Sequence, residues 1–183
     1  FDFANEESLY CRPLRTAAGG EDRMQVPDEA QTDRIAFLPP MSGLAAAEPK
    51  WEPGRINVLL GEGRTAEVLR NLCYQVSEVD SPAWDQLRSQ VQLLFGVVLD
   101  KPEYIAERGE VTMSYKERSG IRLDISSSGR GLQQTLLLLA HLYSNPKTIL
   151  LLDEPDAHLE ILRQRQTYQL LTETARNQGS QLI

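Results

Sequence analysis

A chain of 183 residues, 41% apolar and 25% charged, is long enough to bury the core of one domain with a small subdomain attached. Its formal charge of −7 excludes a broadly basic surface for nucleic acid or anionic membrane, so either contact would need a local basic patch. No apolar run approaches the ~20 residues of a membrane span, and the start lacks the basic-then-apolar order of a signal peptide.

Cys11 and Cys73 form no CxxC or other metal-ligand spacing. Two lone cysteines fit a reducing, cytoplasmic setting better than a disulfide. The chain opens on Phe1 without an initiator Met and closes on "QGSQLI", which reads as the beginning of a strand. Both ends are therefore expected to be cuts in a longer protein.

In chain order, "SLYCRPLR" reads as an edge strand whose pairing Pro13 limits. "AAGGEDRMQVPDEAQTDR" is turn-rich and acidic and reads as a mobile loop. "RIAFLPP" gives a short strand, Ile35 to Leu38, ended by its prolines. "SGLAAAEPKWEPGR" reads as a loop with one helical turn at most. "INVLL", Ile56 to Leu60, fits either a short strand or the approach to a helix.

Two helices are expected next. Thr65 is the candidate cap of the first, in which Ala66, Leu69, Leu72, Cys73 and Val76 share a face. Ser81 is the candidate cap of the second, followed by Pro82. Its apolar stripe runs through Trp84, Leu87, Val91, Leu94, Phe95 and Val98. The pair, about 62–100, reads as a helical subdomain of antiparallel helices, its stripes serving as core.

Val111, Met113 and Tyr115 then alternate with polar residues, as do Ile121, Leu123 and Ile125 across the turn "ERSG". This predicts a β-hairpin leading into "SSSGRG". "LQQTLLLLAHLYS" is an apolar helix that Pro146 cannot continue, and His141 within it reads as structural. Thr148 to Leu152 is apolar on both faces, as in a parallel strand buried between helices. Ile161 to Gln178 is a polar-rich helix closed by Gly179. Helix, strand, helix, strand is α/β order.

Ligands gather at the carboxyl ends of strands in open α/β sheets, and Asp153 and Glu154 emerge at such an end. Neighbouring strand residues point to opposite sides, so the two acids can take different roles. One suits a hydrated Mg²⁺, which prefers carboxylate and water oxygens. The other suits an attacking water, where a general base contributes roughly 10²–10⁴-fold. Taken alone, "DEP" is equally a polar strand exit. "SSSGRG" sits just before a long helix, whose free N–H groups and dipole favour an anion. Alone it would be an ordinary serine cap, but its placement one helix and one turn ahead of the acid pair raises its weight.

The run "SSGRGLQQTLLLLAHLYSNPKTILLLDEPDAHLE" resembles the signature motif, helix and Walker B strand of ABC-type ATPases. It is most similar to the non-transporter branch of AAA-family ATPases related to the overcoming-lysogenization-defect, RecF and SMC proteins. The close match covers Ser126 to Glu160, with agreement in layout from about Arg34 onward. The resemblance implies a P-loop NTPase fold: an α/β, ABC-ATPase-like mixed sheet flanked by helices, with a signature and Walker B lobe over 109–183. It implies that Ser127, Ser128 and Gly129 contact the γ-phosphate of ATP held by a partner subunit, with Ser126 beside them. Arg130, where many members carry Gln or Glu, would touch phosphate or face solvent. Asp153 matches the acid that supports Mg²⁺ through water, and Glu154 the catalytic glutamate. "AHLE" replaces the transporters' Ser-Ala-Leu-Asp, and His158 would either cross a dimer interface or pack on the helix start.

A Walker A loop needs Gly-Lys followed by Ser or Thr. The four lysines, Lys50, Lys101, Lys116 and Lys147, follow no glycine. "GEGRTAE", Gly61 to Glu67, lacks the lysine and reads as a loop before a helix. The Walker A segment is therefore expected upstream and the switch histidine downstream, and no Q-loop glutamine is assigned. The chain alone is expected to bind ATP poorly.

The leading expectation is an ATPase that dimerises head to tail around two ATP and Mg²⁺ sites, serving DNA-related or phage-defence processes. DNA contact follows from the resemblance alone. The alternative is a non-hydrolysing, ATP-sensing module that controls a separate effector domain or protein such as a nuclease. A degenerate structural half-module is a third class.

Overall fold

The computed structural model describes residues 2–5, 8–10, 14–17, 20–23, 33–41 and 43–183. The chain divides into two units, Phe1–Arg34 and Ile35–Ile183. In the first, β1 (Asp2–Asn5) pairs antiparallel with β2 (Ser8–Tyr10), and β3 (Leu14–Ala17) with β4 (Gly20–Arg23). The strand expected around "SLYCRPLR" is thus two strands, and Cys11 to Pro13 lie outside the described residues. The loop expected after Thr16 is a correction in part. Gly20–Arg23 forms an antiparallel ladder with Leu14–Ala17. The stretch from Met24 to Thr32 lies outside the described residues.

The second unit is built on a parallel sheet. β11 (Ile149–Leu152) lies between β5 (Ile35–Leu38) and β12 (Gln181–Leu182). Ile149 pairs with Ile35 and Leu152 with Leu38, so the acids leave the sheet beside the "LPP" end of β5. The ladder continues one residue further, where the Asp153 N–H donates to the Leu38 carbonyl at 3.1 Å.

Five helices complete the described part of this unit: α1 (Pro53–Gly61), α2 (Leu69–Val79), α3 (Ser81–Phe95), α4 (Arg130–Ser144) and α5 (Ile161–Asn177). α4 is buried along nearly its whole length, from Leu132 to Tyr143. It packs against α2, α3 and α5. Leu38 and Leu150 join Leu72, Leu87, Leu136 and Leu139 in one core. The opposite sheet face shows Ile35 and Phe37 at 66% and 46% exposure. Thr148–Leu152 was expected to be buried on both sides. Thr148 and Leu150 are buried, whereas Ile149 and Leu151, on the opposite face, are half-buried because the core lies on the Leu150 face; Leu152 packs against that core and is half-buried at the strand's end.

"INVLL" lies inside α1, where Pro53 occupies a first-turn position that needs no N–H donor. Thr65 does not cap a helix. Its hydroxyl donates to the Pro40 carbonyl at 3.1 Å, and Thr65–Glu67 forms a 3₁₀ turn ahead of α2. Ser81 does not cap α3 either. Asp80 does, its carboxylate accepting the Ala83 N–H at 3.0 Å, since a carboxylate accepts more strongly than a hydroxyl at the dipole's positive end. α3 ends at Phe95 because Gly96 takes a left-handed φ of 70°, which lets Val98 leave the helix for a strand.

The hairpin is present with its register centred on Leu123 opposite Tyr115, between β9 (Ser114–Lys116) and β10 (Arg122–Asp124). β6 (Val98–Leu99) adds a third strand on β9, and β7 (Glu103–Ile105) pairs with β8 (Glu110–Thr112). Val111, Met113 and Tyr115 point into the core as the alternation required, while Ile121 is 57% exposed at the turn.

His141 is buried and burial pushes its pKa down to about 4, so the ring is neutral, in keeping with a structural role. Cys73 is a free, buried thiol whose pKa burial raises, which leaves it unreactive. Among the described residues no helix is long and apolar enough to cross a membrane.

Candidate functional site

The hairpin delivers the chain at Asp124 into a 3₁₀ turn, Ile125–Ser127, and then into Gly129, the N-cap of α4. One oxygen of the Asp124 carboxylate accepts both the Ser126 N–H (2.8 Å) and the Ser126 hydroxyl (2.6 Å). The Ser127 hydroxyl donates to the Asp124 carbonyl at 2.6 Å, and the Ser128 hydroxyl to the Ile125 carbonyl at 2.7 Å. Burial works against the charged form of Asp124, but the Ser126 bonds and the Arg70 guanidinium hold its carboxyl below the usual range. From the other side, the buried Gln133 amide donates to the carbonyls of Ile125, Ser126 and Ser128. The loop is therefore clamped at both ends.

No side chain caps α4. Its first-turn N–H groups open at Gly129 and Arg130, both exposed. Gly129 has an ordinary φ of −64°, and a Cβ there would meet nothing within 4 Å. The fold does not require a glycine at this position. A ligand approaching the backbone closely would.

Asp153 and Glu154 are exposed at the carboxyl end of β11. Glu154 adopts a left-handed backbone with φ 46°, which costs a non-glycine residue about 1–2 kcal/mol. Strain of this kind collects at functional sites. It turns the chain off the sheet directly after Asp153, and the Ala157 N–H closes the turn on the Glu154 carbonyl at 3.0 Å. His158 is also left-handed, with φ 65° and an exposed side chain.

The two loops meet at Gly131. A Cβ there would lie 3.2 Å from the His158 carbonyl oxygen and 3.3 Å from Leu159 Cδ2. This glycine lets the segment after the acids seat on the first turn of α4. A cavity of about 280 Å³ opens beside the contact, lined by Ser128, Gly129, Gly131, His158, Glu160 and Arg163 among others. Glu160 is the N-cap residue of α5. Arg163 lies over the Phe95 ring at 4.8 Å and donates to the Leu94 carbonyl, tying α5 to the end of α3.

The structure thus brings Ser128, Gly129 and His158 to one cavity, whereas Ser126, Ser127, Arg130, Asp153 and Glu154 do not line it. Among the described residues no three His, Cys, Asp or Glu side chains gather into a protein-built metal cage. A single exposed carboxylate at a strand end fits Mg²⁺ that keeps its waters and arrives with phosphate oxygens. The lookalike at Gly61–Glu67 has no such character. Glu62 and Glu67 pair with Arg64 at 3.3 and 2.8 Å, so its one cation is already matched.

The pattern reading missed Glu48, Arg70, Asp124 and Gln133. Only Asp124 carried a local signal, as an aspartate two residues before a serine ahead of a helix.

A protein-family profile described as "AAA domain, putative AbiEii toxin, Type IV TA system" matches residues 2–183. Nothing matches among curated proteins. Among solved structures the chain is similar to one titled "Crystal structure of the Smc head domain with a coiled coil and joint derived from Pyrococcus yayanosii", with 15% identity and a TM-score of 0.42. That similarity covers 70% of this chain and 25% of the other, so the chain spans about a quarter of that protein's length.

Proposed function

The chain belongs to the family of AAA domains described as putative AbiEii toxin, Type IV TA system, an ATPase-type family, and on that premise we propose that it carries two of the working parts of an ATP-hydrolysing site. Ser127, Ser128, Gly129 and the N-terminus of α4 form a loop that receives the γ-phosphate of ATP bound to a second subunit. Arg130 stands at its edge. Asp153 would hold through water a Mg²⁺ ion that, when bound, would supply charge neutralisation at the phosphates. Glu154 orients and deprotonates the attacking water, and His158 faces the subunit interface. Phosphoryl transfer of this kind depends on positioning and electrostatics rather than covalent chemistry.

The carrying observation is the seat at Gly131, which couples the loop after the acid pair to the first turn of α4. A phosphate held at that helix start would be sensed directly by the segment that follows Glu154. The family's description as a toxin favours a second reading, in which ATP is a signal and the output falls on a separate effector such as a nuclease. A role in DNA-related or phage-defence processes is part of the same proposal.

Gly129→Asp tests the loop. Asp is a good N-cap, so stability should stay within a few tenths of a kcal/mol of the parent, roughly the Gly-to-Asp difference at caps. The carboxylate would repel a phosphate, and Mg²⁺-dependent ATP turnover by the intact protein should fall by roughly 10²-fold or more. Turnover at the parent rate in this variant would remove the loop from the site.

A further inference from the structure

Arg70 is 1% exposed, at the second position of α2, and is among the largest fully buried side chains of the described residues. Its Nη1 donates to the Ala45 carbonyl and its Nη2 to Asp124 Oδ1, each at 2.9 Å. Below it, Glu48 is 0% exposed. That carboxylate accepts the Arg70 N–H at 2.9 Å, the Asn71 N–H at 2.6 Å and the Asn71 side-chain amide at 2.7 Å. Glu48 thereby caps α2 from 22 residues away. Its oxygen is 3.7 Å from the guanidinium, close enough to balance charge and too far for a direct bond. The directional bonds of Arg70 go outward, to the Ala45 carbonyl and to Asp124.

Asp124 is where the serine loop begins. The oxygen that accepts Arg70 also accepts the Ser126 N–H and hydroxyl, and the Asp124 carbonyl holds the Ser127 hydroxyl. Sinking a guanidinium into a core is costly, and a well-packed apolar side chain usually does as well for stability. A buried arginine with one arm on a loop hub therefore calls for a role beyond packing.

The geometry points to Arg70 as a positioning residue for the phosphate-facing loop: it locks Asp124 to the buried start of α2, and Asp124 in turn holds Ser126 and Ser127 inward, so the pair fixes the course of the backbone from Ser126 into the first turn of α4. The inference rests on the proposed reading of that loop. Arg70 touches no substrate, and its effect runs through Asp124.

The test uses the intact protein with Arg70→Gln, Asp124→Ala, the double variant and Arg70→Lys. Asp124 has a 49% exposed side chain, so Asp124→Ala opens no core cavity and leaves Arg70 its bond to the Ala45 carbonyl and its neighbour Glu48; thermal unfolding checks that the variant is folded before exchange is compared. Amide hydrogen exchange over Ser126–Gly131 should speed up by roughly tenfold or more in both single variants, with β11 and α3 unchanged. ATP turnover should show kcat lowered by roughly tenfold or more and KM altered by less than about threefold, as for a misplaced group. The double variant should lose no more than the worse single one, because both cut the same link. Arg70→Lys should recover part of kcat. Unchanged loop exchange in Asp124→Ala, or losses that multiply in the double variant, would overturn the inference. Absence of turnover in the parent would sink the proposed function instead, and the exchange comparison would still decide the role of Arg70.

Discussion

Glu154→Gln should lower the rate of ATP hydrolysis by roughly 10²–10⁴-fold, the usual worth of a general base, while ATP affinity changes less than about threefold. The amide has the size and shape of the carboxylate but cannot take a proton from water. The substitution is clean here because Glu154 is exposed and its left-handed φ of 46° burdens Gln as it burdens Glu. The measurement is single-turnover release of the γ-phosphate beside equilibrium nucleotide binding. A fall of less than about tenfold would assign the base elsewhere. The same variant separates the two functional readings. Biological output that survives the loss of hydrolysis makes ATP a binding switch, and output lost with it makes turnover necessary.

The largest effect on stability is expected at Glu48. Replacing it with Ala removes the acceptor for the Arg70 and Asn71 N–H groups and for the Asn71 amide. It also strips the buried Arg70 of its nearest buried counter-charge. Burial pushes the Glu48 carboxyl upward while those donors pull it back. The charged form is thus costly to bury and costlier to lose. Breaking one partner out of such a pair typically costs ~3–5 kcal/mol, which in a domain of this size lowers Tm by roughly 6–20 °C. Glu48→Gln should fall between the parent and Glu48→Ala, because it keeps an acceptor but turns an NH₂ toward other donors. Thermal or urea unfolding of the intact protein reads the difference. A loss below about 1 kcal/mol would mean that the carboxylate's desolvation cancels its bonds.

These two sites differ in how far the sequence discloses them. β11 and the acids were legible because an unbroken apolar run ending in Asp-Glu-Pro has few physical interpretations. α4 was legible from its apolar length, and the β9–β10 hairpin from alternation in Val111–Tyr115 and Ile121–Ile125, although the first of these runs is split between β8, which pairs with β7, and β9. Each of these signals lies within one segment. The α3 cap slipped by one residue because Asp80 and Ser81 are both capping types and Pro82 suits either start. Gly20–Arg23 was read as loop because a glycine followed by charged residues carries no strand pattern. Glu48 and Arg70 were invisible for a different reason. Arg70 meets Glu48 across 22 residues and Asp124 across 54, and charged side chains in a polar stretch read as surface until tertiary contacts bury them. The serines of the loop were legible as a group, whereas their inward hydrogen bonds to Asp124 and Ile125 were not.

The central claim is that the serine-glycine loop and the acid pair belong to one hydrolytic site that two subunits share. Mixing tests it most directly. Gly129→Asp subunits and Glu154→Gln subunits of the intact protein should each be inactive alone. Mixed, they should hydrolyse ATP, because one of the two composite sites then joins an intact loop from one subunit to an intact acid pair from the other. The predicted result is half the parent rate per mixed dimer, or roughly a quarter of the parent rate across an equal, randomly assorted mixture of subunits. A mixture that forms dimers and stays as inactive as its components would contradict the account.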